Sequence, residues 1–260
     1  MNNRHIYIGM EETKSYYLYG FHPVDEALSS GREIEKVIFR QGLEGEQFRS
    51  LLSRLQQANI PVQFVPSERI SKLEKGKKSQ GVIAYLSQID YTPFETALDR
   101  AIAKWRVGGP IPLFVMLDGV SDVRNLGAIA RSAECAGVSG IIVPAKGGAA
   151  INAEAVKASA GALLRIPTSR TQNLRIPIYT FKEYGFQIFA ATEKSDKLIY
   201  DVDMCKPTVI VMGSEGKGIS DSVLALCDEK AKIRMVGEIE SLNVSVACSI
   251  IMFEAVRQRL

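Results

Sequence analysis

The chain has 260 residues, 46% of them hydrophobic and 23% charged, with a formal net charge of +3. This balance supports a soluble fold of one large or two modest domains and excludes global disorder, while the charge alone is a weak pointer to a polyanionic partner. No apolar run approaches the roughly 20 residues that span a bilayer.

The polar start Met1-Asn2-Asn3-Arg4 lacks a following apolar core of the signal-peptide kind, so the expected setting is cytoplasmic, neither secreted nor membrane-embedded. Residues 1–17 show no clear period and read as a disordered leader. From Gly20, helical and extended signals alternate. A helical stretch from Pro23 to Ser29 precedes the apolar strand Lys36 to Phe39. Phe48, Leu51, Leu52 and Leu55 then recur at three- and four-residue spacing, as in an amphipathic helix packed on a sheet. Val62 to Val65 and Gly81 to Leu86 add strands, closing a small α/β domain over residues 18–88. Before its last strand, Lys72 to Gln80 forms a basic loop in which Lys75, Lys77 and Lys78 are candidate phosphate contacts; a solvated lysine-rich turn is the alternative.

Residues 89–111 read as a linker with a helix from Phe94 to Trp105, broken by Gly108-Gly109-Pro110. A second domain, 112–260, opens with Leu113 to Leu117, an apolar run suited to a strand buried on both faces. Gly140 to Val143, Gln187 to Ala191 and Thr208 to Met212 follow with helical stretches between them, the pattern of a doubly covered parallel sheet whose ligands gather at the strands' carboxyl ends. Cys135, Cys205, Cys227 and Cys248 are far apart, contain no C-x-x-C pair and read as reduced core residues. With only His5 and His22 besides, no metal site is expected.

Three loops at expected strand ends carry polar residues beside glycine. In the first, Asp118 to Arg131, a helix starts near Asn125 and stops at Gly137, so Asn125 can be an N-cap and Arg131 a solvated side chain. The second, Gly213 to Ser220, has Ile219 where a P-loop needs lysine, which disfavours an NTPase. Gly216-x-Gly218 with Glu238 about 20 residues on resembles a dinucleotide fingerprint, but Asp221 stands at the third glycine. The third, Ser241-Leu242-Asn243, introduces a helix from Val244 to Gln258, apolar on most sides and therefore expected to be buried; Ser241 or Asn243 can be its cap.

Taken in order, Asn-x-Gly-x-x-x-Arg, Gly-x-Glu-x-x-Gly and Ser-Leu-Asn-Val-Ser-Val-Ala resemble the three signature motifs of the SpoU (TrmH-like) RNA ribose 2′-O-methyltransferases, and the resemblance spans Phe114 to Arg259. Tyr19 to Leu28 and Gln80 to Ala84 are similar to the small substrate-binding domain that precedes the catalytic domain in rRNA-modifying members. Many relatives have histidine where this chain has Ser79.

The resemblance implies an α/β fold with a C-terminal knotted (trefoil) parallel-sheet methyltransferase domain behind a small α/β RNA-binding domain, a homodimer, and S-adenosylmethionine as methyl donor. It assigns Arg131, Asn125, Glu215, Ser241 and Asn243 to catalysis, and Gly213, Ile233 and Leu242, with Met235 and Thr192 beside them, to the cofactor. Glycine at 213 would admit close backbone approach to a ligand. Arg124 joins Lys75, Lys77 and Lys78 as an RNA contact. The implied substrate is RNA, rRNA before tRNA, with a guanosine of 23S rRNA favoured. A nicotinamide enzyme and a non-catalytic RNA-binding relative are the rival classes.

Overall fold

The computed structural model describes residues 17–74, 76–239 and 241–260, and the chain divides into two compact units between Leu86 and Ser87. In the first unit, β1 (Tyr17–Tyr19), α1 (Phe21–Ser29), β2 (Ile34–Arg40), α2 (Glu46–Gln57), β3 (Val62–Val65), α3 (Ser67–Glu74) and β4 (Val82–Leu86) build a sheet of order β1-β4-β2-β3. β4 runs antiparallel to both β1 and β2, while β3 is parallel to β2. Strand alternation sends Val37, Phe39, Val82 and Ala84 to one face, where Val24 and Ala27 of α1 and Leu51 and Leu55 of α2 cover them. Burying each leucine side chain is worth about 1.5–3 kcal/mol. The opposite face carries Ile38, Val65 and Ile83 under Ile70 of α3.

α3 takes Lys72 and Glu74 out of the expected basic loop and into a helical last turn. Lys75, a predicted RNA contact, and residues 1–16 of the expected leader lie outside the described residues.

The second unit contains α4 (Phe94–Arg106), β5 (Leu113–Asp118), α5 (Val123–Cys135), β6 (Gly140–Pro144), α6 (Ala153–Ala158), β7 (Thr168–Thr171), α7 (Arg175–Glu183), β8 (Gln187–Ala191), β9 (Thr208–Gly213), α8 (Asp221–Leu224), β10 (Glu229–Ala231) and α9 (Val244–Gln258). Its six strands lie in the order β10-β8-β9-β5-β6-β7, and every pairing is parallel. α5, α6 and α9 cover one face over Val115, Leu117, Ile141 and Ile210. α4, α7 and α8 cover the other over Phe114, Met116, Ile142 and Val209.

The sequence places α4 in a linker, but it packs Ala97, Leu98, Ala101 and Ile102 into this second core. The edge strands β7 and β10 were not expected; reading Thr-Ser-Arg-Thr and Glu-Lys-Ala, they carry no apolar run.

Two close fits fix the helices. A Cβ on Gly127 would stand 2.5 Å from the Ala158 Cβ and 2.7 Å from the Ala155 carbonyl oxygen, so glycine lets α5 and α6 touch. At the end of α9 the Arg259 guanidinium donates to the carbonyls of Met204, Ile111 and Lys206 at 2.7, 2.9 and 2.9 Å, and burial pushes its pKa down.

Two expectations change. α9 is not buried all round, since Val246 and Phe253 are both 47% exposed on its outer side. Cys248 is buried and Cys227 partly so, but Cys135 and Cys205 are exposed rather than core residues. Among the described residues no cluster of His, Cys, Asp and Glu could hold a metal ion, and no helix is long and apolar enough to cross a membrane.

Candidate active site

The site begins with a register. β5 and β9 pair from Leu113↔Thr208 to Asp118↔Gly213, so the first and second motif loops leave the sheet side by side at its carboxyl edge. Asp118 Oδ2 accepts from the Ser220 amide at 2.7 Å and ties one loop to the other.

The loop after β9 is a tight hairpin in which Ser214 and Gly218 exchange backbone hydrogen bonds of 3.0 and 2.9 Å. Gly216 and Gly218 turn it at φ +86° and +69°, conformations that L side chains resist. Gly213 is required by the loop itself, whatever ligand the cleft takes. A Cβ there would lie 2.1 Å from the Gly218 carbonyl carbon and 2.2 Å from the Ile219 nitrogen, so the close approach is to the loop's own returning backbone.

This hairpin holds Glu215 out toward two asparagines. Its Oε1 accepts from Asn125 Nδ2 at 2.9 Å and from Asn243 Nδ2 at 3.1 Å, and Asn243 Nδ2 also reaches Asn125 Oδ1 at 3.0 Å. The amide of Asn243 thereby uses both ends. Its Oδ1 caps α9 by accepting from the Ser245 amide at 2.9 Å, as the capping reading expects, while its Nδ2 serves the triangle.

Asn125 is not the cap of α5. Asp122 takes that position, accepting from the amides of Arg124 and Asn125 at 2.8 and 3.0 Å, and those donors hold its carboxyl below the usual carboxylate range. Asn125 sits in the first turn with its side chain released toward Glu215.

Beside the triangle lies a cleft of about 590 Å³ at the carboxyl ends of β8, β9 and β10. Its lining includes all five expected cofactor residues, Thr192, Gly213, Ile233, Met235 and Leu242, together with Glu215, Ser241 and Asn243. Glu193 and Lys232 line it as well and were missed: both leave strand ends by short excursions without glycine or a recognisable spacing. Leu242 is 39% exposed, an apolar side chain available to a ligand.

Arg131 stands apart. It is exposed, does not line the cleft, and makes no hydrogen bond or ion pair among the described residues. Six residues beyond Asn125, it lies about 9 Å further along α5 and about 120° around it. Arg124, seven residues before Arg131, shares its side of the helix and lies 4.0 and 3.9 Å from Asp122 and Glu154.

In the first unit, Lys77 and Lys78 are exposed, with Lys77 Nζ 5.0 Å from the centroid of the Tyr19 ring. Ser79 is fully buried beneath them. It donates its hydroxyl to Glu74 and accepts from the Gly81 amide at 3.0 Å, so it anchors the base of the lysine loop.

Comparison with known proteins gives the family and the fold. The family model described as SpoU rRNA Methylase family matches residues 112–253, and that described as RNA 2′-O ribose methyltransferase substrate binding matches residues 17–92. A relative from Staphylococcus saprophyticus, classed in the TrmH family of tRNA/rRNA methyltransferases, is 36% identical over 242 residues, covering 93% of this chain and 95% of that one. The AdoMet-bound rRNA methyltransferase from Sinorhizobium meliloti superposes with a TM-score of 0.57 at 27% identity, over 94% of this chain and 88% of that one. The A. aeolicus TrmH/SpoU tRNA modifying enzyme gives 0.53 at 32% identity, over 63% of this chain and 84% of that one.

Proposed function

The chain belongs to the SpoU rRNA methylase family, RNA methyltransferases whose fold is typically knotted, and from that premise we propose that it transfers a methyl group from S-adenosylmethionine to a ribose 2′-hydroxyl of rRNA. The observation that carries this reading is the meeting of Asn125, Glu215 and Asn243 at the edge of the cleft that Gly213, Ile233 and Leu242 line.

The cleft suits this cofactor. Ile233, Met235 and Leu242 offer an apolar surface to an adenine, the backbone beside Gly213 is unobstructed by a side chain, and Glu193 and Lys232 offer opposite charges to an amino-acid group. When bound, the cofactor supplies an electrophilic methyl on a sulfonium.

The chain's own residues have two tasks. The Asn125–Glu215–Asn243 triangle fixes the two loops and α9 against one another, so the nucleophile meets a preset frame. Ser241, on the same lining, adds a hydroxyl that can orient a ribose. The attacking hydroxyl would form its O–C bond as the methyl's C–S bond breaks and would give its proton to water, so the developing oxyanion needs positive charge. Arg131 supplies that charge rather than acting as a base, because a guanidinium stays protonated.

Arg131 does not reach the triangle of its own chain through any described contact, so we place it in the site of a second copy within a homodimer. The uncovered Val246 and Phe253 of α9 supply an apolar face for such a contact.

The test is to incubate the protein with methyl-labelled S-adenosylmethionine and, separately, unmodified rRNA and tRNA. Label in rRNA is expected. Label in tRNA alone would move the substrate class, and no label in either RNA, with cofactor binding intact by calorimetry, would contradict the activity.

A further inference from the structure

The first unit carries an aromatic and cationic surface that the lysine loop does not account for. Tyr17 and Lys36 are both opposite Tyr85 in the register, and Tyr19 follows two positions after Tyr17, so all four side chains share one face of β1-β4-β2. This is the face that α3 covers over Ile38 and Ile83, but the tyrosines extend past that cover: Tyr19 and Tyr85 are only partly buried and Tyr17 is 42% exposed.

The rings are contiguous, with centroids 4.9 Å apart between Tyr17 and Tyr85 and 6.4 Å between Tyr17 and Tyr19. A cation sits over two of them: Lys36 Nζ is 4.6 Å from the Tyr85 centroid and Lys77 Nζ is 5.0 Å from that of Tyr19. Arg69 of α3 adds a third charge near enough, after burial itself, to push the Lys36 pKa down, while Glu35 acts in the opposite sense. Glu74, the carboxylate at the end of α3, is engaged by the Ser79 hydroxyl and amide.

We propose that Tyr19 and Tyr85 form a stacking platform for unpaired bases of the RNA substrate, with Lys36, Lys77 and Arg69 holding the adjoining phosphates. The proposal rests on the RNA reading above and deepens it by naming single-stranded RNA as what the first unit grips. A polyanion answers the positive rim, and flat bases answer the rings; no other ligand class satisfies both as simply. Stacking is tolerant of sequence, and lysine side chains are long enough to leave the rings and follow phosphates.

The experiment measures binding of the full chain to an RNA single strand of about 12 nucleotides, a length within the usual site sizes, and to a duplex of the same sequence. Replacing Tyr19→Leu and Tyr85→Leu together is expected to weaken single-strand binding by about tenfold or more, while Tyr19→Phe with Tyr85→Phe stays within about twofold. Duplex binding should change little in either variant. Leucine variants that bind the single strand like wild type overturn the platform, as do phenylalanine variants that lose as much as leucine ones.

Should the leucine pair fail to fold, Lys36→Gln with Lys77→Gln provides the second reading. Loss of two phosphate contacts should flatten the logarithmic salt slope of single-strand binding by about 1.4, and an unchanged slope overturns the proposal. Failures of the two readings are separable. A wild type that methylates RNA yet does not bind the 12-mer overturns the platform alone; one that binds the 12-mer yet methylates no RNA counts against the activity alone and supports the platform.

Discussion

Asn125 donates to Glu215 at 2.9 Å although the two are 90 positions apart in the chain. The bond exists because β5 and β9 are neighbours in register, with Asp118 opposite Gly213, and because Asp122 takes the capping duty of α5 and leaves Asn125 free. Asn243 closes the triangle from the start of α9. Three distant loops thus share one carboxylate.

Glu215→Gln keeps an oxygen for the asparagine amides but removes the charge that strengthens both bonds. Cofactor binding, read by calorimetry, should stay near wild type while single-turnover methyl transfer slows by about 10- to 100-fold. Unchanged turnover would remove Glu215 from the machinery.

Gly213→Ala and Gly216→Ala should separate packing from backbone strain. The first drives a Cβ to 2.1 Å from backbone and should cost about 2 kcal/mol or more, together with cofactor affinity. The second meets open space at φ +86° and should cost about 1 kcal/mol. Thermal melts of both variants check the order, and the reverse order would contradict the hairpin geometry.

Assembly makes its own prediction. Arg131→Ala and Glu215→Ala should each be nearly inactive. If Arg131 serves the partner's site, mixing and re-equilibrating the two should restore about a quarter of wild-type activity, because half the dimers then hold one intact site. No recovery in a mixture shown to exchange subunits would put Arg131 in its own chain's site.

Acid should act on α5 through Asp122. Its folded pKa lies below the ordinary 3.8, so its capping contributes stability above that value and loses it as pH falls through the folded pKa. Asp122→Ala should therefore lower the melting temperature at pH 7, and the gap to wild type should close on acidification below about pH 4. A gap independent of pH would contradict the charged cap.

Much of this architecture was legible in the sequence. The buried strands β5, β6, β8 and β9 are apolar runs of strand length, and α9 runs from Val244 to Gln258 behind the Ser241-Leu242-Asn243 signal, as its apolar stretch implies. The edge strands β7 and β10 escaped because one neighbour suffices at an edge and Thr168–Thr171 and Glu229–Ala231 need no apolar run. The polar site residues could be singled out by motif, but not their triangle, which depends on register between strands 95 positions apart. Glu193 and Lys232 were invisible because pocket lining depends on where a loop passes, and α4 read as a linker because its amphipathic face does not name the core it joins.

The most direct test of the account is the position of the methyl group. RNA labelled by the wild-type protein should be digested with alkali, which needs a free 2′-hydroxyl to cut the adjoining phosphodiester. Label retained in alkali-resistant dinucleotides is the predicted result and would establish transfer to ribose. Label released wholly in mononucleotides would place the methyl on a base and contradict the proposed chemistry.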